Sequence, residues 1–505
     1  MVSVSPTLLW AADKVAPQNP PPSEGKLEIK ETVISPVPPS WDNISTSADQ
    51  KRVAFVIGKQ GKYMALINGK EGPAFDSIEG RPGFSADSQH VSYRATRDGQ
   101  EFFVVDGVEG KGYEPSTNDW NFLSPDSKRF GFIAHRGGES MMVVDGVEGK
   151  HYHRVERESP TFSPDSKRYL YVADLDEKQK VLVVDGVESK PYHRIYHPTF
   201  SPDSQRVLFE ASSQSNQDSF LVVDGVEGPA FGPGIFSIEF SPDSKRVSYS
   251  ATPKGKLARY VMVVDGVPGK EYDRIEVYTR AFSADSKHVS YTAEIGEKKC
   301  VVVDGEEGPL CDYIEYVGPS DGHVAYLAVR NREAVIISDG KEVAKLNSPR
   351  WGFSPDYQHL AYLAADQNGW WIVRDGKEGM HHSVGEPFRT ELHWSPDSQH
   401  FAYRASQKRE IEYVVLDGVQ SIYYQQVQPY ELKFSSDSKH FAYWACPASG
   451  NWRLFVDKAY SNEYDNLVLN GTRIIYDSPN SLHTLAVRDN KIVLVEAMIP
   501  ASANP

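Results

Sequence analysis

The stretch FSPDSKRVSYSA, Phe240 to Ala251, has close relatives along the whole chain, and this repetition restricts the possible folds more than any other feature. The turn aspartate of its S-x-D-S motif stands at Asp49, Asp87, Asp126, Asp165, Asp203, Asp243, Asp285, Asp356, Asp397 and Asp437, with weaker versions at Asp321 and Asn480. A second phrase, VVDGV, keeps step with it at Asp106, Asp145, Asp185, Asp224, Asp265, Asp304, Asp339, Asp375, Asp417 and Asp457, with Asn68 at the front. Twelve units of about 39 residues thus account for nearly all of the 505 residues.

The unit from Thr279 to Glu315 shows four extended stretches. TRAFS is the first strand, ADSK a turn in which Asp and Ser can bond their own backbone, and HVSYTAE alternates as a half-buried strand does. KKCVVVDG is an apolar third strand ended by an Asp-Gly turn, and EEGPLCDYIE is a polar outer strand broken by Gly and Pro. A meander of this length, repeated, predicts an all-β protein: a β-propeller built from twelve four-stranded repeats. One blade alone exposes both faces of its sheet, so it must stack on its neighbours, and the repeated phrase answers a packing problem rather than a catalytic one. The last unit stops after its third strand while Lys26 to Ile34 stands alone before the first, so the two ends are expected to complete one blade. Twelve blades exceed the usual range of roughly four to eight. Two six-bladed rings in tandem are therefore expected, with one twelve-bladed ring as the alternative. The corresponding segments are a Pro-rich leader at 1–25, blades one to six with the N-terminal closing strand at 26–277, and blades seven to twelve at 278–500.

The F/W-S-P-D-S-K/R-x-V/L-A/S-Y phrase, followed by an apolar strand, resembles the TolB-like and WD-repeat-like β-propellers of bacteria over about residues 41 to 498. The resemblance implies the fold and no particular partner, since such propellers serve as scaffolds, binding modules and accessory domains of enzymes. This chain has DS where that family more often has DG, and it adds the VVDGVEGK phrase.

A net charge of -15, spread along the chain, argues against a nucleic-acid partner, which needs a basic face. No apolar run reaches the roughly 18 residues that a spanning helix needs. The first 25 residues lack a basic start and make a poor signal peptide as written. The compartment stays open: periplasmic or secreted if the start codon is miscalled, cytoplasmic otherwise. A monomer is expected. Cys300 and Cys311 flank one hairpin and could pair or could be two small core residues, leaving Cys446 apart.

Positions that repeat between units answer to the blade, and positions that vary are free to answer to a partner. Strand order puts the SPDSK and DGVEG turns on one side. There Lys128, Arg129, Lys167, Arg168, Lys245 and Arg246 near Glu109, Glu148, Glu188 and Glu227 suggest a solvated, mutually screened surface. The opposite, varied loops carry Trp120, Tyr196, His197, Tyr278, Arg280, Tyr316, Arg350, Trp351, Arg389 and His393, residue types that dominate binding hot spots. These ten are the candidate binding residues. The leading functional expectation is a non-enzymatic scaffold that binds a protein, peptide or glycan partner. The alternative is a propeller-type hydrolase or lyase acting on carbohydrate or peptide through Glu239, Arg280, Glu391 and His393, and a third reading is a structural spacer. GPSDG at Gly318 to Gly322 matches G-x-S-x-G but occupies a repeat turn, and the histidines of HYHR and YHRIYH fall at rim positions. No catalytic residue, metal ligand or cofactor site is therefore expected.

Overall fold

The computed structural model describes residues 26–40, 44–116, 121–212, 218–256, 258–276, 281–320, 323–330, 333–346, 350–356, 358–383, 391–406, 411–429, 431–447, 450–468 and 472–499, of which 121, 316–320, 323 and 383 are described in backbone only. Among them the chain forms twelve antiparallel sheets, each an up-and-down meander of four strands, and the protein is an all-β β-propeller. In three sheets the first strand is split in two, as at Arg154–Val155 and Thr161–Phe162. By contact the chain divides into two compact units, Pro38–Pro349 and Met1–Val37 with Arg350–Pro505. Blades one to eight, counted in chain order from Ser45–Thr46, lie in the former, and blades nine to twelve, from Trp351–Phe353 on, in the latter. No helix among the described residues is long and apolar enough to cross a membrane.

Each turn has a local cause. Asp106 and Gly107 both have positive φ, 50° and 80°, the geometry of the tight hairpin turn whose twist suits paired strands. Asp106 Oδ1 also accepts the Val91 N–H at 2.9 Å, fastening the turn to the second strand. In the S-x-D-S turn Ser85 Oγ donates to Asp87 Oδ1 at 2.6 Å and accepts the His90 N–H at 2.9 Å. The hydroxyl and a backbone N–H hold the Asp87 carboxyl below its ordinary pKa.

The N-terminal strand Glu28–Pro36 pairs antiparallel with the last strand, Lys491–Met498, as the outer edge of the twelfth blade. Its Glu31 accepts hydrogen bonds from the Tyr464 hydroxyl at 2.9 Å and from the Arg488 guanidinium. The two chain ends therefore complete one sheet.

Cores form between consecutive blades rather than within one. Leu170, Val172 and Leu182 of the fourth blade pack on Ile195, Phe200 and Phe209 of the fifth. Cys300 and Cys311 are free, buried thiols, and burial pushes the Cys300 thiol up to about 11.

The turn face is not the solvated belt its charges suggest. The Asp126 N–H donates to Ser166 Oγ of the next blade at 2.9 Å, Asp165 to Ser204 at 2.9 Å, and Asp203 to Ser244 at 2.9 Å. Arg168 Nε donates to Asp185 of its own blade at 2.8 Å, and its Nη1 to the Ser204 and Gln205 carbonyls of the next, with the guanidinium 5.2 Å from the Phe200 ring centre. Arg129, Arg206 and Arg246 repeat the arrangement. Lys111, Lys150, Lys190 and Lys270 each reach Glu148, Glu188, Glu227 and Glu307 of the following blade at 2.5 to 2.7 Å. These lysines are about 60% exposed, so each pair contributes little stability and mainly matches blade to blade. Sequence bears this out: where the sixth blade has Pro268 in place of the glutamate, the fifth has Pro229 in place of the lysine.

Removing one clasp should be measurable. Ser166→Ala leaves the Asp126 N–H without its acceptor and is expected to lower stability by about 1 kcal/mol, seen as a lower urea midpoint. An unchanged midpoint would show that the clasp is decorative.

Candidate binding site

The first strand of each blade has one neighbour only and follows a fixed pattern. In six blades of the 38–349 unit an aliphatic residue, Ile78, Val155, Ile195, Ile235, Ile275 or Ile314, pairs with an alanine of the second strand. The small alanine admits the aliphatic chain, so the following residue must turn outward. That residue is Glu79, Glu156, Glu276 or Glu315 in four blades, but Tyr196 in the fifth and Phe236 in the sixth. Tyr196 is 41% exposed and Phe236 49%, two aromatic rings at positions where the repeat otherwise places a carboxylate.

The backbone breaks just beyond them. Register shifts occur between Tyr196 and Thr199 and between Phe236 and Glu239. His197 and Ser237 sit there at φ 50° and 52°, a left-handed conformation that is uncommon for such residues and that concentrates at functional positions. The Tyr196 and His197 rings are 6.3 Å apart, and Arg194 Nη1 donates to the Tyr196 hydroxyl at 2.9 Å. Phe236 folds back over Gly234, where any Cβ would stand 2.5 Å from its ring, and lies 6.5 Å from Tyr260.

Beneath the surface the two blades are tied together. The Ile235 N–H donates to Glu210 Oε1 at 3.3 Å and the Gly234 N–H to Ser219 Oγ at 3.4 Å. Glu210 is 5% exposed, and burial raises its pKa above the ordinary carboxylate value despite its hydrogen bonds and the nearby His197. The surface so formed offers ring stacking, a guanidinium and an imidazole on a backbone held by buried polar contacts.

Of the residues singled out from sequence, Tyr196 and His197 are brought together here. Arg350, Trp351 and His393 belong to the other unit. Arg350 is exposed, while Trp351 is half-buried and edge-on to Phe353 at 6.0 Å. His393 is also half-buried, its Nε2 3.6 Å from Glu391, and burial lowers its pKa to about 4. Tyr316 pairs through its backbone with Tyr326, but its side chain lies outside the described residues, as do Trp120, Tyr278, Arg280 and Arg389 entirely. Sequence reasoning missed Phe236 and the 51% exposed Tyr313. Aligning the repeats on the aliphatic residue before Phe236 would have found it.

The carboxylate of Glu239, considered for catalysis, accepts the Ala281 and Phe282 N–H groups at 2.6 and 3.0 Å and so holds the next blade. His193 Nδ1 is 3.2 Å from the Lys178 carbonyl oxygen, and His151 is 3.4 Å from Glu139. Among the described residues no group of His, Cys, Asp and Glu is placed to hold a metal ion.

No protein-family model matches the chain, and no curated protein matches it. Solved structures similar to it include a eukaryotic initiation factor, at 10% identity, covering 74% of this chain and 96% of that one with a TM-score of 0.32. TolB from Acinetobacter baumannii is similar at 17% identity over 44% and 63% of the two chains, TM-score 0.23. The β-propeller domain of the Trilobed protease from Pyrococcus furiosus is similar at 12% identity over 53% and 94%, TM-score 0.25.

Proposed function

We propose that this protein is a non-enzymatic β-propeller platform that binds a protein, peptide or glycan partner through its varied loop face. The observation that carries the reading is the pair of exposed rings, Tyr196 and Phe236, on adjacent first strands at positions that hold glutamate in four other blades. Aromatic rings presented on rigid strands lose little conformational freedom on binding, which is why such residues dominate hot spots. The turn-face side chains, by contrast, are engaged in holding blade to blade. The proposal extends to Trp120, Tyr278, Arg280, Tyr316, Arg350, Trp351, Arg389 and His393 as further contact residues of the varied loops.

The test is binding of the intact protein and of Tyr196→Ala/Phe236→Ala to arrays of peptides and glycans. Both side chains are exposed, so the variant should keep the parent urea midpoint. The platform reading expects at least a tenfold loss of affinity for whatever the parent binds. Equal binding by the two proteins, or no ligand for either, removes this surface from consideration.

A further inference from the structure

A cleft of about 430 Å³ opens between the seventh blade (strands Arg274–Glu276 to Glu306–Glu307) and the eighth (Tyr313–Ser320 to Lys341–Leu346). It lies away from the varied loops, beside the Asp-Gly turns. At the second-to-third, third-to-fourth and sixth-to-seventh junctions the chain's own side chains occupy this region, whereas the first-to-second junction, where Pro73 stands at the lysine position, also has a cleft, of about 580 Å³. The Lys150 ammonium lies 5.2 Å from the Tyr152 ring centre and on Glu188, and Lys111 and Lys270 sit likewise over Tyr113 and Tyr272. The tyrosine of the lysine's blade faces a second-strand tyrosine of the next, as Tyr152 faces Tyr171 and Tyr272 faces Tyr291, the ring centres 6.1 Å apart in both pairs.

At the seventh-to-eighth junction the filling groups are gone from the sequence. Pro309 replaces the lysine and Cys311 its tyrosine, and by strand register Pro319 stands where most repeats have Phe or Trp. The second-strand tyrosine, Tyr326, remains. It is 2% exposed and lines the cleft, its hydroxyl 3.6 Å from where a Cβ on Gly308 would stand, with no hydrogen-bond partner among the described residues. Val301, Val303 and Val324 form an apolar floor, and Asp304, Glu306, Glu307 and Asp339 a carboxylate rim. Lys270 sits on Glu307 and His288 on Asp304, Asp339 has a partner of its own, and Arg330 lies near Tyr326 and Cys311.

We propose that this cleft receives a lysine side chain presented by a partner polypeptide. A lysine fits such a lining, its aliphatic stem on the valines and its ammonium toward the rim and the Tyr326 hydroxyl. The acidic rim supplies the charge complementarity that chooses this occupant over an apolar or acidic one. The site is independent of the Tyr196 and Phe236 surface, and either can fail alone.

The experiment uses the full chain and fluorescently labelled hexalysine, followed by anisotropy at about 150 mM salt, where long-range attraction to an acidic protein is screened. Pro309→Lys/Cys311→Tyr restores the residues found at other junctions and should fill the cleft, weakening binding at least tenfold. Glu378→Gln, in the other unit, makes the same change in net charge and should leave binding within twofold of the parent. Hexalysine acetylated on every side chain should not bind. Tyr326→Phe, a residue that equivalent positions already hold at Phe132 and Phe209, provides a second variant should the double substitution fail to fold, and should weaken binding severalfold. Equal loss in the filled and Glu378→Gln variants, or no loss in Tyr326→Phe together with the filled variant, would reduce the attraction to net charge and overturn the proposal.

Discussion

Val302→Asp is expected to destroy the packing between the sixth and seventh blades, lowering stability by about 4–5 kcal/mol or leaving no folded protein. Val302 is 0% exposed and belongs to a cluster with Met262 and Tyr272 of one blade and Tyr291 and Cys300 of the next. A carboxylate placed there has no cation to meet and would be desolvated against aromatic and aliphatic groups, which is among the costliest of single changes. Its neighbour gives the contrast. Strand alternation leaves Val303 half-buried at the cleft wall, so Val303→Asp is expected to cost only about 1–2 kcal/mol. Urea unfolding of the two variants decides the matter, and equal effects would show that the strand is not seated as described.

Acid should weaken the 350–505 part of the molecule through His382. This histidine is 4% exposed, with Nε2 3.0 Å from the Tyr403 hydroxyl, Nδ1 against the Tyr413 hydroxyl and its ring 4.2 Å from that of Trp370. Burial, with a smaller contribution from His381, lowers its pKa from the ordinary 6.5 to about 4. The folded state thus refuses a proton that the unfolded chain accepts. Stability is complete above pH 6.5 and falls as the pH drops toward 4, by up to about 3 kcal/mol. His393, lowered to about 4 chiefly by burial, adds to the loss in the same direction. Carboxylates titrate in this window as well, so the informative comparison is with His382→Tyr, which installs the residue that equivalent positions hold at Tyr424 and Tyr464. The variant should lose distinctly less stability between pH 7 and 4.5 in urea titrations. Parallel curves would assign the acid sensitivity elsewhere.

The contrast between His382 and Tyr424 also marks how far reading by repeat goes. Both occupy one repeat position, yet Tyr424 meets another hydroxyl while His382 sits between two, a difference set by the neighbouring blade. The same holds on the varied face. Tyr196 and His197 could be picked out as aromatic and basic residues in a variable loop, whereas Phe236 emerges only when the repeats are aligned on the aliphatic residue before it, and its exposure only in the folded blade. Conversely Arg129 and Arg168 read as surface charges, and what occupies them is the carbonyl pair of a turn some 37 residues further on.

By itself the sequence determined the number of repeats, the four-strand meander, the Asp-Gly and Ser-x-Asp-Ser turns and the joining of the two chain ends in one sheet. All of these follow from local periodicity and from turn residues acting on their own backbone, so one unit is enough to read them. Only the tertiary structure decided which rings are exposed, which charges cross between blades, and where a cleft opens between two of them. Those outcomes depend on residues about one repeat apart that meet only when blades stack, and on whether the next blade happens to supply a partner of matching size and charge.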